Sequence, residues 1–470
     1  MRNLILNTDS YKTSHFAQYP AGAEYVSSYI ESRGGRYRDT VFFGLQAFLK
    51  EYLSRPISNA DIEEAEAVCV AHGVPFNRPG WDYILDNYDG YLPIEIEAVP
   101  EGTVVPTGNV LVQVMNTDPN CAWLTSYVET ALLRAIWYPT TVATVSRNCR
   151  TIIQRYLEDT ADNSDSLPFK LHDFGARGAT SEEAAALGGM AHLVNFAGTD
   201  TLSAIMAARR YYGADMAGFS IPAAEHSTIT SWGRDGEARA YANMIQQFGG
   251  QDRVVAVVSD SYDIWNAIDN LWGGELREQV EQAGGTLVVR PDSGEPVEIV
   301  PEAIERLMAR FGYRTNSKGY RVLPDCVRLI QGDGVCAQSI EAILQEMKAR
   351  GLSADNVAFG MGGELLQKLN RDTQKFAMKA SAICINGEWR DVYKDPITDP
   401  GKRSKRGRLA LVRRNESVQT VRADALNGDG VDGVDSEENQ LIKVFRNGEI
   451  LIDWDFETIR QRAAQGNGGN

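Results

Sequence analysis

Histidine is scarce in this sequence. Five occur in 470 residues, His15, His72, His172, His192 and His226, and no two form an HxH or HExxH pair. That excludes the histidine-rich sites usual in zinc hydrolases. Cysteine is equally thin. The six, Cys69, Cys121, Cys149, Cys326, Cys336 and Cys384, include no CxxC pair, which argues for reduced, mostly buried thiols in a reducing compartment over a zinc cluster or a disulfide frame. No apolar run approaches the roughly 20 residues of a membrane span. The opening MRNLILNTDSYK has only three consecutive apolar residues, too few for a signal-peptide core, so a cytoplasmic protein is expected. Basic residues are outnumbered, 47 against 63 acidic, for a net charge of −16. A general nucleic-acid or anionic-membrane binder needs the opposite balance, so any phosphate site must be a local cluster.

What is present is the composition of a folded protein, 43% hydrophobic with 8 Trp and 19 Tyr, and disorder is not the default. The length exceeds one ordinary domain, although an α/β barrel of about 250 residues would absorb much of it. Three segments are expected: helices and a β-rich module over 1–157, an α/β barrel over 158–375, and a return to the β-rich part over 376–470. In the first, Asn59–His72 carries an Asn start and apolar residues at helical spacing, which predicts a surface helix. IEIEAV and VLVQV alternate around the turn signals PEGT and PTGN, which predicts strands. Two amphipathic helical patterns follow, Ala122–Trp137 and Thr141–Leu157, then a polar linker, Glu158–Ser166.

Beyond the linker a short apolar run repeatedly ends in an acid, histidine or glycine cluster and gives way to a helical pattern. The ends read LHDFG at Asp173, NFAGTD at Asp200, PAAEH at His226, VVSDSYD at Asp260, VVRPDSG at Asp292, LIQGDG at Asp333 and AFGMGG at Gly362. Successive gaps are 27, 26, 34, 32, 41 and 29 residues, close to the roughly 30 of a βα unit. Polar residues after every strand fit a barrel, whose site lies at the strands' C-terminal ends. An open doubly wound sheet would concentrate its ligand groups at one switch point instead. After Phe376 the segments FAMKASAICI, EWRDVYK and GRLALVR read as strands, Asp424–Glu438 as an acidic exposed loop and QGNGGN as a frayed tail.

Several of these ends suit phosphate chemistry. His226 falls at a strand-to-helix junction, where it serves either as a turn cap or as a base or nucleophile near a bound anion. Phe359-Gly-Met-Gly-Gly363 is either a tight turn or a phosphate cradle, with Arg371 and Lys379 downstream to supply positive charge. Asp200, Asp260, Asp292 and Asp333 would converge at a barrel mouth and therefore require cations there: Arg177, Arg290 or Mg²⁺. The basic run KRSKRGR, 402–408, is either a solvated loop or one whose Lys402 or Arg403 reaches a phosphorylated ligand.

LHDFGARG, HLVNFAGTDT, IPAAEHSTIT, VVSDSYDIWNA, VRPDSGEPVEIV, SKGYRVLP, IQGDGV, LLQKLNRD and YKDPITDPGKRSKRGRL, with DSYKTSHFAQYP near the start, resemble the nicotinamide phosphoribosyltransferases of the nicotinate/nicotinamide phosphoribosyltransferase family, in register from about Asn7 to beyond Asp453. The resemblance implies a type II phosphoribosyltransferase: an irregular α/β barrel with an adjoining β-rich domain built from N- and C-terminal segments, in a homodimer with shared active sites. It implies transfer of phosphoribosyl from phosphoribosyl pyrophosphate to nicotinamide in NAD salvage, with Mg²⁺ accompanying the pyrophosphate and ATP phosphorylating the histidine, His226. By motif, Phe174 and Tyr11 of the partner subunit would clamp the pyridine ring, and Asp200 would accept its amide N–H. Arg177, His226 and Arg290 would line the pyrophosphate, and Asp292, Gly332 and Asp333 the ribose. Gly362, Gly363, Arg371 and Lys379 would take the 5′-phosphate, with Arg33 and Lys402 as further phosphate contacts. Asp260 joins the carboxylates at the same mouth. Two departures stand out: Ala176 where relatives commonly carry an aromatic residue, and Glu364 where a third glycine follows GMGG. Nicotinate phosphoribosyltransferase is the nearest alternative, and a non-catalytic nucleotide-binding or signalling protein on the same fold is the alternative of another class.

Overall fold

The computed structural model describes residues 3–398, 403–414, 417–426 and 439–466. Two compact units emerge. One gathers the chain up to Thr144, Arg210–Ala214 and the chain from Asn370 onward; the other comprises Val145–Arg209 and Asp215–Leu369. No helix among the described residues is long and apolar enough to cross a membrane.

The first unit is built on an antiparallel sheet. Strand Ala23–Ser32 pairs with Val110–Asn116 on one side and with Phe376–Ile385 on the other, so the late chain rejoins the early one. The alternation of IEIEA has its expected result: Ile94, Ile96 and Ala98 are fully buried, while Glu95 on the opposite face pairs with Arg446 and Lys443 at 2.6 and 3.2 Å. Helix Asn59–His72 forms as its sequence predicts, closed by a capping box between Ser58 and Asp61. One expectation fails. The two helical patterns around Pro139 are a single helix, Glu129–Thr160. Its proline is accommodated because a glycine makes space for the ring and the adjoining turn carries an extra side-chain hydrogen bond. Gly44 leaves room for the ring, since a Cβ there would lie 2.3 Å from Pro139 Cγ, and Thr141 Oγ1 donates to Trp137 O at 2.5 Å. The linker read at 158–166 therefore begins as the last turn of this helix.

The second unit is an irregular α/β barrel. Six parallel strands, β1 (Leu171–Asp173), β2 (Gly198–Thr199), β3 (Val254–Val258), β4 (Thr286–Arg290), β5 (Val327–Gln331) and β6 (Val357–Met361), stand in the order β2-β1-β6-β5-β4-β3. The gap between β2 and β3 is spanned by residues 219–224. Phe219 bridges to Gly198 and Ala223 to Ala256, both parallel, and Thr199 N donates to Phe219 O while Ala256 N donates to Pro222 O, each at 3.0 Å. Pro222 has no N–H to give, which is why this seventh stave stays a chain of single bridges and never becomes a full strand. All seven sequence repeats thus contribute to one ring. Inside it Ala256, Val288 and Ile330 pack with Phe174, Ile221 and Ala358.

Candidate active site

The C-terminal ends of β3 and β4 and the short helix His226–Thr230 bring four of the expected residues together. Asp260, its side chain 3% exposed, accepts hydrogen bonds through Oδ2 from Asp292 N at 2.8 Å and Ser293 Oγ at 2.5 Å. Its other oxygen, Oδ1, is buried and accepts none, lying 3.8 Å from His226 Nε2. Asp292 Oδ2 is 3.3 Å from the same nitrogen, and its Oδ1 accepts from Arg290 Nη2 at 2.8 Å. His226 Nδ1 meets Ser261 Oγ at 3.0 Å. With two carboxylates on the Nε2 side, the proton of a neutral imidazole belongs on Nε2, and Nδ1 keeps its lone pair, hydrogen-bonded by the serine hydroxyl.

Arg290 also joins this network to the aromatic side of the mouth. Its guanidinium carbon lies 5.7 Å from the centre of the Phe174 ring, a cation–π contact. The ring needs glycine beneath it, because a Cβ on Gly360 would fall 1.9 Å from Phe174 Cε2, and one on Gly332 would lie 3.3 Å from both the ring and Arg290 Nε. Asp173 shapes the turn that presents Phe174. Fully buried, it accepts from Gly175 N at 2.8 Å and Thr199 Oγ1 at 3.1 Å, and burial pushes its carboxyl above the usual range.

Asp200 follows β2. Its N–H donates to Asp173 O at 3.0 Å, and its Oδ1 accepts from Ser220 Oγ at 2.5 Å. His172, on β1, is held below its ordinary pKa by burial, with Asp200 acting in the opposite direction. Asp333 is exposed, and its carboxylate has no hydrogen-bond or ion-pair partner among the described residues; the same is true of the Arg177 guanidinium. Gly362 and Gly363 open a four-residue helical turn, Gly363–Leu366, shorter than the helix expected there. A Cβ on Gly363 would meet nothing within 4 Å. The charge of Glu364 is matched by Lys368 at 2.7 Å. Ala176 sits exposed in the turn that carries Arg177.

The remaining expected cations belong to the antiparallel unit. Arg33 Nε pairs with Glu31 at 3.0 Å, leaving Nη2 buried without a partner. Arg371 sits in a 3-10 turn, Arg371–Thr373, where the sequence suggested a helix, and comes no nearer than 3.8 Å to Asp372. Lys379 is depressed below the usual lysine range by burial, with Arg33, Lys12 and Arg371 adding to the effect. Tyr11 is 59% exposed, edge-on to His15 at 5.1 Å. Lys402 lies outside the described residues, as do most of the acidic stretch 424–438 and the last four residues. Of the rest of the basic run, Arg403 pairs with Asp395 at 2.9 Å and Lys405 with Glu31.

Sequence reasoning named the acids of this mouth but not the hydroxyls between them, Ser220, Ser261 and Ser293. The last two follow an aspartate directly, in SDS and PDS, which is the available signal. Ser220 has none, because its partner Asp200 is brought to it only by closure of the ring.

Comparison with known proteins agrees with this geometry. The family model described as the nicotinate phosphoribosyltransferase (NAPRTase) family matches residues 169–449, and that of the nicotinamide phosphoribosyltransferase N-terminal domain matches residues 3–96. The chain is 55% identical over 462 residues to a protein of Xanthomonas campestris pv. campestris named nicotinamide phosphoribosyltransferase, covering 98% of each. It is 32% identical over 493 residues to one of the same name from Acinetobacter baylyi, covering 97% of this chain and 96% of the other. Among solved structures, nicotinate-nucleotide pyrophosphorylase from Pyrococcus furiosus shares the fold with a TM-score of 0.64 at 15% identity, over 100% of this chain and 97% of that one. Human nicotinic acid phosphoribosyltransferase does so with a TM-score of 0.56 at 16% identity, over 98% and 93%. A barrel mouth of paired acids and arginines, the two family models and the full-length relatives converge: the chain belongs to the nicotinate phosphoribosyltransferase family and is a phosphoribosyltransferase.

Proposed function

We propose that the chain transfers phosphoribosyl from phosphoribosyl pyrophosphate to nicotinamide, giving nicotinamide mononucleotide and pyrophosphate in NAD salvage. The observation that carries the choice of base is Asp200. An ionised carboxylate is an acceptor only; it receives the amide N–H of nicotinamide and repels the carboxylate of nicotinate. The names of the two curated relatives support the same base. Phe174 stacks on the pyridine, and Tyr11 of the partner subunit supplies the second face in a homodimer with shared sites.

The pyridine nitrogen attacks C1′ with its own lone pair as the bond from C1′ to the pyrophosphate oxygen breaks, so no protein base is required. Positive charge develops on the ribose and negative charge on the leaving group. Asp292, Asp333 and the backbone at Gly332 answer the first; Arg177 and Arg290 answer the second. The Arg290–Asp292 ion pair of 2.8 Å supports this division, because one residue of each role already holds the other in place. Gly362 and Gly363, with Arg371 and Lys379, take the 5′-phosphate, and Arg33 and Lys402 add phosphate contacts. Magnesium accompanying the pyrophosphate would need few protein oxygens besides phosphate and water; Asp260 Oδ1, buried and without a hydrogen-bond donor, would offer one, and the ion would supply positive charge to the leaving group. ATP phosphorylates His226 at Nδ1, the nitrogen left unprotonated, while Asp292 holds the Nε2 proton.

Product analysis with nicotinamide and nicotinate side by side, with and without ATP, tests the reading. The expected result is preferential formation of nicotinamide mononucleotide, stimulated by ATP. His226→Ala should lose the stimulation and retain slower ATP-independent synthesis, and unchanged coupling in that variant removes the phosphohistidine role. Preference for nicotinate favours the alternative base, and no mononucleotide from either base favours a non-catalytic nucleotide-binding protein.

A further inference from the structure

Asp200 alone does not define a specificity site, because an exposed carboxylate is free to rotate between several orientations. The structure constrains it from a different element. Ser220 Oγ lies 2.5 Å from Asp200 Oδ1, and Ser220 stands in the segment 219–224 that closes the ring, between its bridges at Phe219 and Ala223. The backbone at Asp200 is fixed as well, by its N–H to Asp173 O at 3.0 Å. A carboxylate is an acceptor only, so the serine must donate, and its hydroxyl engages Oδ1. Oδ2 keeps both its lone pairs for a ligand donor. His172 and the buried Asp173 both interact electrostatically with this carboxylate.

From this we infer that Ser220 is a positioning residue for base discrimination: its hydroxyl holds the Asp200 carboxylate in one orientation, so that the site takes an uncharged pyridine amide and rejects a pyridine carboxylate. The inference rests on the proposed role of Asp200 and adds to it the residue that makes that role selective. Ser220 is exposed, so removing its hydroxyl leaves no cavity.

The test is the ratio of kcat/KM for nicotinamide to that for nicotinate in wild type, Ser220→Ala, Ser220→Thr and Asp200→Asn. A charge-assisted hydrogen bond of this kind corresponds to roughly a tenfold change in equilibrium. Ser220→Ala should therefore lower the ratio about tenfold, through KM for nicotinamide with kcat largely kept, and Ser220→Thr, which keeps the hydroxyl, should restore it. An unchanged ratio in Ser220→Ala, or an equal fall in both serine variants, overturns the inference while Asp200 keeps its role if Asp200→Asn has lost the preference. If Asp200→Asn keeps the preference, the reading of Asp200 and the inference fall together.

Discussion

Position 360 must be glycine because a ring occupies the space where a side chain would begin. The Phe174 ring passes within 1.9 Å of where a Cβ on Gly360 would stand, and its main chain is pinned by Phe174 N donating to Met361 O at 3.0 Å. The ring therefore has to yield if the residue grows. Gly360→Ala should displace it from Arg290, raising KM for the base by roughly tenfold and costing about 1–3 kcal/mol of stability; steady-state kinetics and urea denaturation read the two effects separately. The same neighbourhood shows how residue type alone misleads. Asp173 ends one short strand and Asp200 follows another, yet the first is a buried turn acceptor and the second an exposed ligand candidate.

Among local elements, PEGT reads as a turn, which conceals that its Glu101 is a buried cap. Glu101, 2% exposed, accepts from Gly44 N at 3.1 Å and Gln46 N at 2.6 Å at the start of helix Leu45–Phe48, and from Tyr212 O–H at 2.7 Å. Burial pushes its carboxyl above the usual range, and those donors oppose the shift. Glu101→Ala leaves three buried donors without an acceptor, and should cost about 3–5 kcal/mol in urea denaturation. Patterns carried by neighbouring residues were legible in the sequence: the helix Asn59–His72, the alternation of IEIEA, and the acid-tipped repeats of the barrel. Long-range acceptors such as Glu101 and Ser220 were not, since their partners are remote in sequence. Pro139 misled for the same reason, because Gly44, which makes space for its ring, and Phe43, whose carbonyl accepts from Thr140, lie far from it in the sequence.

For the molecule as a whole, acid stability should be set in part by histidines that resist protonation. His172 is held below its ordinary value of 6.5 by burial, and His15 is lowered in the same direction by burial and Lys12. The unfolded chain takes up these protons near pH 6.5 and the folded one only at lower pH, so their contribution is complete above about 6.5 and declines as pH falls towards the folded values. Asp173 acts with the opposite sign, since its raised carboxyl takes a proton in the folded state before it does in the unfolded one. Thermal midpoints measured from about pH 7 down to about pH 5 should fall, and His172→Gln should flatten that slope. The ring itself is uneven. β3, β4, β5 and β6 are five-residue strands in continuous ladders, whereas β1 and β2 have three and two residues and the stave beside them is joined by single bridges. Under the proposed roles, Arg290 ends a long strand and Asp260, Asp292 and Asp333 follow long strands, whereas Asp200 and Ser220, which choose the base, sit on the thin arc with Phe174 at its edge and share that arc with Arg177 and His226. On such a layout, base preference can drift over evolutionary time through a few substitutions on one arc of the ring, with the carboxylates that follow the long strands left in place.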